Sequence, residues 1–215
     1  MDAKSIYFAD EFRSFMKSAQ GLTDDDFKKI MPDIKVKILN SNDKDPIKIF
    51  YSIMDFISQN WHKQTPAPVH ADWHHFIVPG VLLAALRNAG YEVTDKDIEE
   101  GMQRGEKFFG GSCGFAGTCG GAYGAGIALS IFYKINPLYD EKRSEIMEIV
   151  SDILKQISKY KRRCCKRSSL IAVKKVIDYL NNKNIDKIQI VEHIRCKWCQ
   201  INKMCLGKDC VFNMQ

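Results

Sequence analysis

GGSCGFAGTCGGAYGAG, residues 110–126, is the stretch around which the rest of the chain is organised. It holds eight of the fourteen glycines of the chain, together with Cys113 and Cys119. Glycine loses the most backbone entropy on folding, so this density indicates turns with positive φ or a close approach of the backbone to another group. The apolar residues that follow Gly126 predict a buried helix. We therefore predict a cysteine-bearing glycine loop that runs into the N-terminus of a helix.

The start of a helix carries unpaired backbone N–H donors and a partial positive charge. It favours the binding of thiolates, sulfide or another anion, so the two cysteines beside this predicted helix start are candidate metal ligands. Tyr123, inside the same stretch, is a candidate proton donor, although packing is the commoner role of such a tyrosine.

Length and composition favour one large domain, with or without an appendage. The chain has 215 residues, 45% of them hydrophobic, and a formal net charge of +6. These values argue against a disordered protein, and they permit contact with nucleic acid or an anionic substrate without requiring it. The first residues lack the apolar run of a signal peptide, and residues 108–133 contain too much glycine for a membrane span. A cytoplasmic location without membrane contact is expected.

The spacing of apolar residues predicts a mainly α protein, a single helical domain with a glycine-rich cysteine loop and a cysteine-rich C-terminal tail ordered by metal. Three segments are expected: a helical extension at 1–64, a helical core with the loop at 65–183, and the tail at 184–215. The predicted helices span about residues 3–19, 23–31, 45–61, 73–88, 94–108, 127–133, 140–160 and 164–180.

Capping residues mark several of these helix starts. Thr23 and Thr94 are each followed three residues later by an aspartate, as in a capping box, and Asp45 precedes a proline. Prolines also predict breaks: the helix after Thr23 should end before Pro32, and Pro79 should kink or divide the helix over 73–88. Residues 33–41 are ambiguous, because their alternating pattern predicts a strand that would have no partner.

Eight cysteines in a chain without a secretory signal favour metal or thiol chemistry over disulfides. Their clustering is hard to explain as scattered core cysteine. They fall into three groups, which are Cys113 with Cys119, Cys164 with Cys165, and Cys196 with Cys199, Cys205 and Cys210.

The four cysteines of the tail lie within fifteen residues, close enough in sequence to close around one metal centre. Zinc takes four thiolates in many structural sites, and so does a 4Fe–4S cluster. The spacing matches neither the bacterial ferredoxin run nor the paired CxxC of a zinc ribbon. Zinc, a cluster, and four unliganded cysteines in a loose tail all remain open.

Cys164 and Cys165 lie in a basic run at a predicted helix start, Lys161–Arg167. Nearby cations and a helix N-terminus lower the pKa of a thiol, so both thiols are predicted to be prone to ionise. One of the pair, together with Cys113 and Cys119, would form a three-thiolate site that leaves one iron open to substrate. Alternatively, Lys159–Arg167 is a solvated or phosphate-binding face, and RNA is its candidate partner.

His70, His74 and His75 form a His-x3-His-His pattern. The first two are four residues apart, so on a helix they would share a face, and this spacing is used by metal ligands and by acid–base pairs. Asp72 is available to orient a ring. The alternative is that they are satisfied core or capping residues. Walker A, HExxH, dinucleotide-binding and radical-SAM CxxxCxxC patterns do not occur, which argues against the familiar nucleotide chemistries.

Four motifs in order resemble a domain of unknown function, family number 5714: WHHFIVPGVLLAALRNAG at 73–90, the glycine stretch at 110–126, RCCKRSS at 163–169 and NKMCLGKDCVF at 202–212. The resemblance covers roughly residues 68–212. It implies a setting in anaerobic bacteria and methanogenic archaea, sometimes with methyltransferase-like or radical-SAM-like partners. Such a setting favours oxygen-sensitive iron–sulfur chemistry over zinc.

The leading expectation is an iron–sulfur protein whose partly open 4Fe–4S cluster serves desulfuration, sulfur transfer or a lyase reaction on a small thiolated or anionic substrate. The three histidines would supply the proton-transfer group. Whether there is one cluster or two, and whether the chain forms an oligomer, is open. The alternatives are a zinc- or cluster-stabilised module that binds RNA or a partner enzyme, and an electron carrier with closed clusters.

Overall fold

A computed structural model describes residues 3–188, 190 and 193–213 of the chain. Within these residues all regular secondary structure is helical and no strand occurs, so the prediction of a mainly α protein is confirmed. Short 3-10 helices occupy Ala3–Ser5 and Gly207–Asp209. The α-helices are α1 (Ala9–Ser18), α2 (Asp24–Leu39), α3 (Pro46–Asn60), α4 (His74–Asn88), α5 (Asp95–Glu106), α6 (Ser112–Phe115), α7 (Gly120–Phe132), α8 (Asp140–Ser158) and α9 (Cys165–Asn182).

The predicted caps start three of these helices. The Thr23 hydroxyl accepts from the backbone N–H of Asp26, whose carboxylate accepts from the Thr23 N–H at 2.8 Å. Thr94 forms the same capping box at α5, and Asp45 accepts from the N–H of Ile47 at the start of α3. These motifs are local, which is why the sequence alone predicts them.

Helix α2 continues through Pro32, contrary to the prediction that it ends before this residue, and it includes most of the segment 33–41 whose pattern resembles a strand. Ile30, Ile34 and Ile38 are buried at intervals of four residues, whereas Val36 is 54% exposed. The burial therefore follows the helical period and not the alternation of a strand. Packing of this apolar stripe offsets the one hydrogen bond that the proline removes.

Helix α4 is the centre of the fold, and every residue from His74 to Leu86 is buried. It is one continuous helix, although Pro79 lies inside it. Proline cannot donate to the carbonyl four residues earlier, which is that of His75. Gly105 of α5 and Gly124 of α7 both approach this carbonyl so closely that a Cβ atom at either position would press on it.

The predicted glycine loop is shorter than expected, because α7 begins at Gly120 rather than after Gly126. The glycines of α7 allow close contacts with neighbouring helices. A Cβ at Gly121 would lie 3.1 Å from the Ser168 carbonyl oxygen of α9, and one at Gly124 would lie 2.8 Å from Cδ of Pro79 in α4. Close packing against two helices thus overrides the low helix propensity of glycine.

One hydrophobic core joins side chains from all three segments predicted from the sequence. It includes Phe50 of α3, Phe76 of α4 and Leu170 of α9, and Trp198 and Phe212 from the tail. No helix in the described part of the chain combines the length and the apolar character needed to cross a membrane.

Candidate metal centre

The first cavity is defined by Cys113, Cys119 and Cys165, which line a space of about 60 Å³. The three thiols come from α6, from the residue before α7 and from the first residue of α9. A space of this size accommodates several water molecules or a compact group. The structure therefore gathers the two cysteines of the glycine stretch with one cysteine of the adjacent pair.

Three long helices begin at this cavity. Its lining includes His74 at the start of α4, Gly120 at the start of α7 and Cys165 at the start of α9. Each helix start brings a partial positive charge of about half an elementary charge, although at α4 the N–H groups of His74 and His75 already donate to the carbonyls of Ala71 and Asp72. The cavity is therefore suited to thiolates, sulfide or an anionic ligand.

All three predicted histidines line the first cavity, but they do so differently from the prediction. His70 precedes α4, so it does not share a helix face with His74. The ring nitrogen Nδ1 of His74 lies 2.8 Å from the carbonyl oxygen of Ala71, and Nδ1 of His75 lies 2.9 Å from that of Phe108. A carbonyl accepts, so both Nδ1 atoms carry the proton and leave Nε2 as an acceptor.

Several buried polar atoms around the cavity have no hydrogen-bond partner in the described residues. Burying such an atom without a partner is unfavourable, so each indicates a ligand or an ordered solvent molecule. They are both ring nitrogens of His70, Nε2 of His74, and the hydroxyl oxygens of Ser112 and Ser169. Hydroxyl groups and ring nitrogens that can donate or accept are thus both available to a bound group.

Burial keeps the histidines neutral at pH 7. It lowers the pKa of His70 to about 4, assisted by the positive charge of Arg163. Burial also lowers the pKa of His74 well below its ordinary value, and it lowers that of His75 despite the opposing bond to Phe108. Neutral imidazoles can accept a proton or coordinate a metal.

The prediction that Cys164 and Cys165 ionise easily is wrong for the metal-free chain. Burial raises the pKa of Cys165 to about 12, and it also raises that of Cys164. The nearby cations and the helix start do not offset the loss of hydration. A metal that binds here must displace protons from these thiols, which couples metal binding to pH.

The adjacent cysteines face two different cavities. Cys164 caps α9 in an extended conformation, with φ −155° and ψ 107°, and Cys165 is the first helical residue. Cys165 lines the first cavity, whereas Cys164 lines a second cavity with three cysteines of the tail, Cys196, Cys205 and Cys210. The thiols surround these cavities without converging on a point, because no three His, Cys, Asp or Glu side chains of the described residues are placed to hold one ion.

A third, larger space adjoins the first cavity and is called the access cavity here. It measures about 400 Å³ and shares His70, Asp72 and Arg163 with the first cavity. Its walls combine apolar side chains with four basic residues and a single acidic one, Asp72. The basic residues are Arg13, Lys17, Arg163 and Lys203. A small anion with an apolar part would fit this lining.

Tyr123 is placed differently from the prediction. It lies in α7, not in a loop, and it does not line the first cavity. Its ring stacks on Phe108, with centroids 4.2 Å apart and planes 16° apart. This geometry supports the packing role.

The predicted basic face at Lys159–Arg167 is interrupted by burial. Lys166 and Arg167 are only 5% and 3% exposed. The Lys166 ammonium lies 2.6 Å from Sδ of Met54 and 5.1 Å from the centre of the Trp198 ring. These two cations therefore cannot contact a macromolecule, and within the run the exposed basic residues are Lys159, Lys161 and Arg162.

Sequence reasoning missed the two serines and Asn202. Ser169 follows Cys165 by four residues, so on a helix both face the same side, and that spacing is a usable signal. Asn202 lies in the tail motif, yet it reaches the core, where its amide lies 3.5 Å from Sγ of Cys164. Its role depends on how the tail packs, which no local pattern predicts.

A family model described as a family of unknown function, DUF5714, matches residues 34–213. The chain belongs to the DUF5714 family. The match begins within α2, so α3 and the last six residues of α2 belong to the DUF5714 region, which extends further towards the N-terminus than the resemblance at 68–212 predicts. It contains all the cysteines and histidines that line the two cavities. No curated protein and no solved structure matches the chain.

The buried histidines should make the stability of the metal-free DUF5714 protein depend on pH. The pKa of His74 is depressed in the folded state, so below about pH 6.5 the unfolded chain binds the additional proton. The contribution of His74 to the free energy of unfolding is therefore fully present above that pH and decreases as the pH falls below it. Below about pH 6.5, His74 should contribute a loss of up to about 1.4 kcal/mol per pH unit in the free energy of unfolding, the value for one proton taken up on unfolding.

Urea unfolding of the His74→Phe variant across this range should show a pH slope reduced by about this amount. The matched control is His193→Gln, which removes an exposed histidine in place of a buried one. Equal slopes in wild type and His74→Phe would show that His74 titrates normally.

Proposed function

We propose that the protein is an iron–sulfur protein with a partly open cluster held by Cys113, Cys119 and Cys165, and that it acts on a small thiolated or anionic substrate. The observation that supports this most directly is that three thiols from separate segments line one cavity at which three helices begin. The reaction class that fits is desulfuration, sulfur transfer or a lyase reaction.

The residues present fit such a group chemically. Thiolates are the usual protein ligands of iron–sulfur clusters. The unpartnered ring nitrogens of His70 and the buried hydroxyls of Ser112 and Ser169 offer further polar contacts at the same cavity. When bound through three thiolates, a 4Fe–4S cluster supplies one iron that acts as a Lewis acid towards a substrate atom.

The chain itself supplies proton transfer and anion binding. His75 carries its proton on Nδ1, which bonds to Phe108, so its Nε2 is available as a base. The burial-lowered pKa of His70 likewise leaves that ring able to accept a proton at pH 7. Arg163 lines both the first cavity and the access cavity, where it can pair with the negative charge of an incoming substrate.

The alternatives receive less support from the geometry. Burial of Lys166 and Arg167 removes two cations from the face proposed for RNA. An electron carrier with two closed all-cysteine clusters needs four thiols at each, but the first cavity is lined by three cysteines, Cys113, Cys119 and Cys165. Zinc remains the alternative metal, and its bond length of about 2.3 Å would require the thiols to move together.

Metal content tests the proposal. Anaerobically purified protein should contain about four irons and four sulfides at this centre, lost in air. The Cys113→Ala and Cys119→Ala variants should each lose the iron of this centre, whereas Cys199→Ala, whose thiol does not line the first cavity, should retain it. Full iron content in both loop variants, or stoichiometric zinc in colourless wild-type protein, would refute the proposal.

Ligand binding tests the open coordination position and the anion preference. Thioglycolate, an anionic thiol, should shift the electron paramagnetic resonance spectrum of the reduced protein at lower concentration than 2-mercaptoethanol, a neutral thiol. Arg163→Gln should weaken the thioglycolate response about tenfold, the size expected for loss of a charge-assisted hydrogen bond, and leave the neutral thiol unaffected. Absence of any shift with either thiol would mean a closed centre.

A further inference from the structure

We infer that the tail and the core together build a second, closed metal centre, whose four thiolates come from Cys164, Cys196, Cys205 and Cys210. Cys199 is then not a ligand, although the tail sequence groups it with the others. The four ligand cysteines line the same small cavity, and Cys199 does not. The ligand class is a single metal ion that prefers four thiolates, as zinc does, because a cavity of about 10 Å³ has no space for four irons and four sulfides.

Hydrogen bonds to sulfur support this assignment. Backbone N–H groups of Trp198 and Gly207 lie 3.4 Å and 3.3 Å from the Sγ atoms of Cys196 and Cys205, each two residues after the cysteine. Cys164 Sγ receives two donors, the backbone N–H of Arg167 and the side-chain amide of Asn202, each at 3.5 Å. Such donors stabilise a thiolate and tune a bound metal. Neutral thiols do not need them.

The second cavity is enclosed, which distinguishes it from the first. It measures about 10 Å³, so it leaves no room for a substrate beside a metal. Cys164 and Cys210 are each 8% exposed, and Leu170, Trp198 and Phe212 complete the wall. The buried Arg167, which lines the same cavity, supplies a positive charge that offsets part of the charge of four thiolates.

The position of Cys199 argues against its role as a ligand. Its Sγ lies 2.9 Å from Sγ of Cys205 and outside the cavity lining. The fourth ligand is supplied by Cys164, at the start of α9, so the metal would fasten the tail to the core.

Four variants test the assignment, with metal and sulfide content measured per folded chain after anaerobic purification. Wild type should hold two centres. Cys164→Ser and Cys205→Ser should each lose the metal of the second centre and keep that of the first. Cys165→Ser should show the reverse, and Cys199→Ser should keep both.

Selective loss in Cys199→Ser with full content in Cys164→Ser would overturn the inference in favour of a centre confined to the tail. The inference does not depend on the proposed function, because failure of the open cluster would appear as a single centre in wild type, which Cys165→Ser keeps and Cys164→Ser loses. Stoichiometric zinc or iron at the second centre both support the four-thiolate assignment, and the elemental analysis says which metal binds.

Alkylation of wild-type protein tests the same assignment without a variant. Iodoacetamide should label Cys199 with and without metal, because the inference leaves its thiol free of the metal. Cys196 and Cys205, which are partly exposed, should become protected about tenfold or more when metal is bound. Metal-dependent protection of Cys199, or no protection of Cys196 and Cys205, would contradict the inference.

Discussion

Replacing Trp198 by alanine should lower the free energy of unfolding of the metal-free protein by about 3–5 kcal/mol. Trp198 is 6% exposed and packs edge-on against Phe50 at a centroid distance of 6.1 Å. It also contacts Tyr51 and the Lys166 ammonium, so the substitution leaves a cavity and removes the cation–π partner of a buried charge. The tail should then detach from the core.

Urea unfolding and trypsin digestion measure this effect. Lys197 and Lys203 lie on either side of Trp198 and are exposed, so trypsin should cut a detached tail at these two residues before it degrades the core. Ile201→Ala is the matched control, because Ile201 is 48% exposed and should cost little. Equal proteolysis of both variants without metal would mean that Trp198 does not hold the tail. Metal should restore resistance in Trp198→Ala, if the second centre also ties the tail to α9.

Replacing Gly120 by alanine should disrupt the first cavity. A Cβ atom at Gly120 would overlap the ring of His75, whose position is held by the bond from Nδ1 to Phe108. Alanine normally stabilises a helix relative to glycine by about 1 kcal/mol. Here we expect a loss of about 1–3 kcal/mol in stability, because the ring must leave its position or α7 must move from α4. The iron content of the first centre should fall with it.

The matched control is Gly114→Ala in the same glycine stretch. A Cβ at Gly114 meets no heavy atom within 4 Å. This variant should keep wild-type stability and iron content, as measured by thermal unfolding and elemental analysis. Identical behaviour of the two variants would show that close approach of His75 does not shape the cavity.

Local signals in the sequence predicted the helix starts, because a cap depends on residues three positions apart. Thr23, Asp45 and Thr94 all cap helices as expected. The predictions failed at positions where packing between distant parts of the chain determines the structure. Pro32 sits inside a helix because an isoleucine stripe packs on the core, and Gly120 is helical because neighbouring helices require its lack of a side chain.

The candidate site likewise has features that local sequence signals predict and features that depend on the whole fold. The sequence identified the residue types, since cysteines and histidines cluster visibly along the chain. The sequence could not assign Cys164 and Cys165 to different cavities, because that assignment depends on the change from extended to helical backbone between them. It also predicted easily ionised thiols from the neighbouring cations, whereas burial dominates their pKa in the folded chain. Burial is a property of the whole fold.

The division of Cys164 and Cys165 between two cavities has a consequence for how the gene can change. No residue separates the last thiol of one cavity from the first thiol of the other. A codon inserted or deleted here would rotate the start of α9 by about 100°, the angle per residue of a helix with 3.6 residues per turn, and would exchange or misdirect the sulfurs of both cavities at once. Insertions that separate related chains should therefore fall in surface loops and spare residues 163–169, so that the two sites are inherited together.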